Sequence, residues 1–299
     1  MFYEGEPGKD YPAHGNWPHG WTPVPVHTLP SNEDHAGNVF APCPRADQLD
    51  EQLVNSKEYR KIEEENKEFF DFLSEKTGMK VSLGNIYLVH DVHHIELKAA
   101  KLTQRFQSIY GLSQPAWLTP NVSDRMRNLT QIANEYTYGI GKPYVPELIR
   151  LRGGNGNCFT ILMAFDRFEH FHAYFFLRSH SFQHDTTVAA LLSTFGDEER
   201  VIRGGLPRYT ASVAIELWML DEGPAVRILF HGAFHHNYHT ITHLTKGCPV
   251  DNEFCPLEMF EERSLQFMPF NINKECQKRE RSNKTNQPRR VRVKMWRSA

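Results

Sequence analysis

The stretch SFQHDTTVAALL, from Ser181 to Leu192, decides how this chain is read. Val188, Ala189, Ala190, Leu191 and Leu192 form an apolar block, and Gly196 is a natural stop after it, so the stretch predicts a buried helix. Asp185 or Thr186 is the expected N-cap. The first turn of a helix has unpaired N–H groups and the positive end of the peptide dipole, so an anion can settle there while a neighbouring carboxyl group donates a proton. His184 and Asp185 side by side at such a place suit phosphate chemistry. The plainer alternative is that Asp185 is only a cap, and HDTT alone leaves both open.

Upstream, ADQLDEQLVNSKEYRKIEEENKEFFDFLSEKT (Ala46 to Thr77) has helical periodicity. Its expected core contacts are Leu49, Leu53, Ile62, Phe69, Phe70, Phe72 and Leu73, with a bend near Asn55 or Ser56 and a stop at Gly78. Leu83 to Gln107 is predicted helical with an uncertain start, and Asn121 to Tyr138 forms another helix, with Met126, Leu129, Ile132, Ala133 and Tyr136 near one face. Pro143 and Pro146 restrict its continuation. Downstream, YTASVAIELWML (Tyr209 to Leu220) and AVRILF (Ala225 to Phe230) are β-rich and separated by Asp221, Glu222, Gly223 and Pro224, which predicts an antiparallel hairpin. Helices followed by paired strands imply an α/β or α+β fold. Four regions are expected: a loop-rich segment 1–44, a mainly helical cap region 45–150, an α/β core 151–277 carrying HDTT, and a basic, disordered tail 278–299.

An apolar content of 40% in 299 residues supports a sizeable core, and a net charge of −2 gives no electrostatic case for nucleic acid. No apolar run is long enough to span a bilayer, and the N-terminus lacks the pattern of a signal peptide. Asn121, Asn128 and Asn283 lie in acceptor sequons that matter only in a secretory protein. CPVDNEFCP, from Cys248 to Pro256, has the look of a short disulfide loop, or of two free cysteines in a turn. His90, His93 and His94, and His235, His236, His239 and His243, have spacings that would suit metal on a helix. HHNYHTITH, however, follows the hairpin and precedes a Gly-Cys-Pro loop, so solvent-facing histidines on strand and turn are expected and no metal site.

Several blocks then occur in a recognisable order: WTPVPVHTLPSNED from Trp21, APCPRADQL around Cys43, QPAWLTP from Gln114, RLRGG from Arg150, HDTTVAAL, GLPRYTASVAIELW, GCP with CPLEMF, and KEC ending at Cys276. In this order they resemble the histidine acid phosphatases of the prostatic and lysosomal type, within the histidine phosphatase superfamily. The resemblance implies a phosphoglycerate mutase-like α/β fold with a helical cap. It also implies hydrolysis of phosphate monoesters at acid pH through a phosphohistidine, with no cofactor. By the same resemblance Asp185 is the proton donor and His184 a phosphate-binding histidine. It further implies Cys43–Cys276 and Cys248–Cys255 disulfides, glycosylation at Asn121 and Asn128, a secreted or lysosomal location, and allows a homodimer.

Two departures qualify this. The family's nucleophile lies in an Arg-His-Gly-x-Arg-x-Pro motif on the first strand, and that motif is absent from the 299 residues. AHG at Ala13 to Gly15 and PHG at Pro18 to Gly20 lack both arginines. The chain therefore reads as N-terminally incomplete and weakly active or inactive, the alternatives being a non-catalytic pseudoenzyme or binding protein and, further off, a histidine-rich metal binder. Asn155 to Gln183 also departs from the family pattern. It reads either as a divergent helix and strand, with AYFFL as the strand, or as translated intron sequence, which would account for the odd fifth cysteine, Cys158.

Overall fold

A computed structural model describes residues 6–9, 11–17, 29–91, 115–154, 184–202, 206–208, 210–233 and 235–279. The helical stretch after Cys43 is three helices: α1 (Pro44–Val54), α2 (Lys57–Glu65) and α3 (Lys67–Thr77). The expected bend at Asn55 and Ser56 is the first break, where the Ser56 hydroxyl accepts the Tyr59 N–H at 3.2 Å and starts α2. A second break, at Asn66, was not expected. There the side-chain amide donates to the Ile62 carbonyl at 2.9 Å while the backbone leaves helical geometry. Gly78 ends α3 in the left-handed conformation, as expected.

The next helical segment begins at 86, three residues later than expected, and its continuation past 91 lies outside the described residues. Helix α4 (Pro120–Tyr138) is capped by the Thr119 hydroxyl and by Gly139, and α5 (Pro146–Gly153) starts on Pro146, whose missing N–H costs nothing at a first helical position. The seven predicted contacts of Ala46 to Thr77 join one core with Met126, Leu129, Ala133, Tyr136, Leu148 and Leu151. Five of those seven are buried and Ile62 and Phe72 partly so.

Helix α6 (Asp185–Phe195) and the short α7 (Glu198–Val201) lead to the hairpin β1 (Ser212–Leu220) and β2 (Gly223–His231). The register pairs Leu220 with Gly223, so Gly223 and Pro224 belong to β2 and the turn is Asp221-Glu222 alone. Tight antiparallel pairing favours such a two-residue loop. Directly opposed pairs Val213 with Phe230, Ile215 with Ile228 and Leu217 with Val226 share one face. That face packs against Leu192 and Phe195 of α6 and Phe260 of α8 (Leu257–Ser264). Phe195 and Phe260, both 0% exposed, approach to 6.0 Å between ring centroids. Burial of each such side chain stabilises the fold by about 2–3 kcal/mol.

Two short strands, β3 (His239–Thr240) and β4 (Cys255–Pro256), both pair with β2, giving a four-stranded antiparallel sheet among the described residues. The Cys248–Cys255 disulfide closes the loop before β4. Cys276, just after α9 (Ile272–Glu275), is bonded to Cys43 at the start of α1, across 233 residues of sequence. Bidentate Arg45–Glu147 and Arg150–Glu275 pairs flank that disulfide, at 2.7–2.9 Å.

Candidate active site

The His-Asp pair sits at the N-terminus of α6, one residue out of the expected phase. His184, not Asp185 or Thr186, is the N-cap, with extended backbone (φ −72°, ψ 158°) and no side-chain capping bond. Its carbonyl accepts the Thr187 N–H at 3.0 Å and the Val188 N–H at 3.3 Å, which closes the first turn. Asp185 is thus the first helical residue, and its carboxylate accepts the adjacent Thr186 N–H at 2.7 Å. A carboxylate at this position meets the positive end of the helix dipole. The His184 side chain makes no capping bond, whereas the Asp185 carboxylate takes up the N–H of the second helical residue, so the geometry fits Asp185 as a satisfier of the helix start as well as an acid.

Both side chains are exposed, while from Thr187 the helix turns inward and Ala189 to Phe195 are all buried. An apolar, fixed body carrying a polar, accessible tip is what holds a pair of reacting groups in place. Three contacts fix the helix start. Thr187 Oγ1 donates to the Gly37 carbonyl at 2.8 Å, tying α6 to the loop 29–43. Asp34 shapes that loop by accepting the Gly37 N–H at 2.7 Å. Gly153 of α5 lies so close to α6 that a methyl group there would be driven into the Ala190 carbonyl oxygen and come 2.7 Å from Thr194 Cγ2.

A linked set of polar residues, one buried and two half-buried, acts on the pair's surroundings. Tyr138, 3% exposed, ends α4; burial pushes its phenol well above the usual tyrosine range, the Asp185 charge adds to this, and the Arg152 charge opposes it. Arg152 bonds the Thr137 carbonyl and Asp50, and its guanidinium lies 5.5 Å from the Phe40 ring. Asp50 is raised by burial, partly offset by Arg152. Tyr138 therefore remains a neutral phenol, lying where the opposite charges of Asp185 and Arg152 both act on it. Nothing in periodicity marks Tyr138 or Arg152 as neighbours of HDTT; the RLRGG block around Arg152 and Gly153 was the available signal, through its glycines.

The other predicted residues fall as follows. Cys43–Cys276 and Cys248–Cys255 are disulfides. Asn121 and Asn128 are exposed on α4. His14 of AHG is exposed in a turn, its Nδ1 accepting the Asn16 N–H at 3.3 Å. His235, His236 and His239 face solvent and His243 is half-buried, in the strand and 3-10 turn expected of HHNYHTITH. His19 of PHG, His93, His94, Cys158 and Asn283 lie outside the described residues.

Residues 1–231 match the family described as histidine phosphatase superfamily (branch 2). The chain is similar to lysosomal acid phosphatase of Bos taurus, at 27% identity over 265 residues, covering 86% of this chain and 56% of that protein. It is similar to prostatic acid phosphatase of Homo sapiens, at 28% identity over 262 residues (86% and 61%), and of Mus musculus, at 28% over 253 residues (81% and 58%). The chain thus spans between 56% and 61% of the length of these relatives.

Proposed function

Because this chain belongs to the histidine phosphatase superfamily, branch 2, we propose that it carries the leaving-group side of a phosphate monoesterase site. Asp185, as a carboxylic acid, protonates the departing alkoxide, and His184 binds a phosphate oxygen beside it. The observation that carries this reading is the position of the pair: adjacent, exposed, and mounted at the positive end of a helix whose remainder is buried. The similar proteins are acid phosphatases by name, which fits protonation at low pH. The two disulfides fit an oxidising, secreted or lysosomal setting.

An acid without a nucleophile completes no phosphoryl transfer. The 299 residues lack Arg-His-Gly-x-Arg-x-Pro, so we infer that the chain as it stands turns over phosphate esters weakly or not at all, because groups acting as one catalytic unit fail together. That same absence favours the second reading, a non-catalytic phosphate-binding protein. The test is to assay the 299-residue chain on an aryl phosphate at pH 5 and to titrate it with inorganic phosphate by NMR. Turnover abolished by Asp185→Ala would refute the inactivity and uphold the acid. Phosphate binding lost in His184→Ala, without turnover, supports the half-site. No phosphate-dependent shift at His184 or Asp185 would overturn both readings.

A further inference from the structure

At the opposite end of α6 from the His-Asp pair sits a carboxyl group in an unusual position. Asp197 follows Gly196, the left-handed residue that ends the helix, and is 1% exposed. Neither of its oxygens has a hydrogen-bond partner among the described residues. The cation nearest in kind is already engaged: Arg263 of α8 donates from Nε to the Lys246 carbonyl at 2.8 Å and from Nη2 to the Thr194 carbonyl at 2.5 Å. The Thr245 hydroxyl, from the loop that packs on the helix end, and the Asp197 N–H both approach the carboxyl group and offset part of the cost of its charge, but neither reaches hydrogen-bond geometry. Glu198 adds a second acid, with Oε2 buried and unpaired. Glu135 of α4, Glu199 and Lys246 act on Glu198 in turn. Among the described residues these groups do not form a set of three metal ligands.

A carboxylate shut away from water, with donors that only approach it, is far costlier than the neutral acid. Burial first, and the Glu198 charge second, push Asp197 up to about 8 despite the Arg263 charge. The same spot is where α6 is fastened to the rest of the protein: the Thr194 carbonyl is held by Arg263, and the Phe195 carbonyl accepts the Lys246 N–H at 3.0 Å.

We propose that Asp197 is a proton-held latch on α6: protonated, it lets the helix end stay packed against Thr245 and Arg263, and on ionising it loosens that end and the core beneath it. The direction follows from proton counting. The unfolded chain ionises this residue near the ordinary 3.8 whereas the folded chain keeps its proton to about 8. Over that window the folded state binds up to one proton more. The folding equilibrium constant therefore falls by up to about tenfold per pH unit as pH rises, and the stabilisation is complete only on the acid side. The latch does not depend on the catalytic assignment of Asp185.

The experiment is urea unfolding of the full chain from pH 4.5 to 7.5, for the wild type and for Asp197→Asn, which keeps the shape of the protonated acid and cannot ionise. Asp50, Glu135 and Glu198, also raised by burial, are common to both proteins. The ratio of wild-type to variant folding constants should fall by at least about a hundredfold across that range. Hydrogen exchange at Ser193 to Gly196 should accelerate beyond its intrinsic pH dependence in the wild type only. A ratio constant within about threefold would overturn the latch. Should the variant not fold, the wild-type Asp197 carboxyl carbon, titrated by NMR, decides: a midpoint above about 6 supports the proposal, and one below about 6 overturns it.

Discussion

Gly153→Ala is the sharpest test of how α6 is held. Alanine is the better helix former by at most about 1 kcal/mol, so on propensity alone the change would stabilise. The added methyl group, however, meets the Ala190 carbonyl oxygen, Thr194 Cγ2 at 2.7 Å and the Ala190 carbonyl carbon at 3.0 Å. None of these atoms can step aside. Ala190 is main chain in the middle of α6, and Thr194 is fully buried with its hydroxyl bonded to the Leu191 carbonyl at 2.7 Å. Relief requires α5 and α6 to separate, and overpacking that moves backbone costs about 3 kcal/mol or more. The net is a loss of about 2 kcal/mol, or about 4–8 °C in a thermal melt followed by circular dichroism. Gly15→Ala, where the new methyl group meets nothing within 4 Å, is the control and should melt with the wild type. A Gly153→Ala protein that melts at or above the wild-type temperature would refute the close helix contact.

Cys276→Ser removes the bond to Cys43 and frees a loop whose closure is worth about 5 kcal/mol in the chain-entropy picture; the urea midpoint should fall steeply, and reduced wild type, which also loses Cys248–Cys255, should fall at least as far. Arg263→Met removes the donors to the buried Thr194 carbonyl and the part-buried Lys246 carbonyl and should cost about 2–3 kcal/mol in the same assay. Arg150→Ala and Glu275→Ala, combined in a double-mutant cycle, should show a coupling of about 1 kcal/mol near neutral pH. Burial raises Glu275, but the Arg150 bond and charge outweigh it and hold the group below the usual glutamate range. That stabilisation is present above the unfolded value and lost as pH falls through the lowered value, so the coupling should shrink on acidification and not on alkalinisation.

The elements with strong period and clear stops were legible from residues alone. Gly78 and Gly196 end helices because no side chain opposes the left-handed backbone there, and the β1–β2 hairpin declares itself by β-branched and aromatic residues around an acidic turn. The break at Asn66 was hidden because it lies on the polar face, where the hydrophobic period runs on undisturbed. The cap of α6 fell one residue early because His184 supplies only its main-chain carbonyl, a role that any residue can fill. At the candidate site, the His184–Asp185 pair drew notice from its place at a helix start, but the roles expected of it came only from the family resemblance, as did the Cys43–Cys276 pairing. Arg152 had only the RLRGG block to mark it, and Tyr138 and Asp197 were not recoverable at all. A charged residue after a helix-ending glycine looks like solvent-facing punctuation, and only tertiary packing from α8 and the Thr245 loop buries Asp197.

The bond between Cys43 and Cys276 makes everything between those two positions a covalent ring. A protease that severs one peptide anywhere inside the ring opens it without dividing the molecule. The nicked product keeps its mass on a non-reducing gel and parts into two bands only when thiol is added.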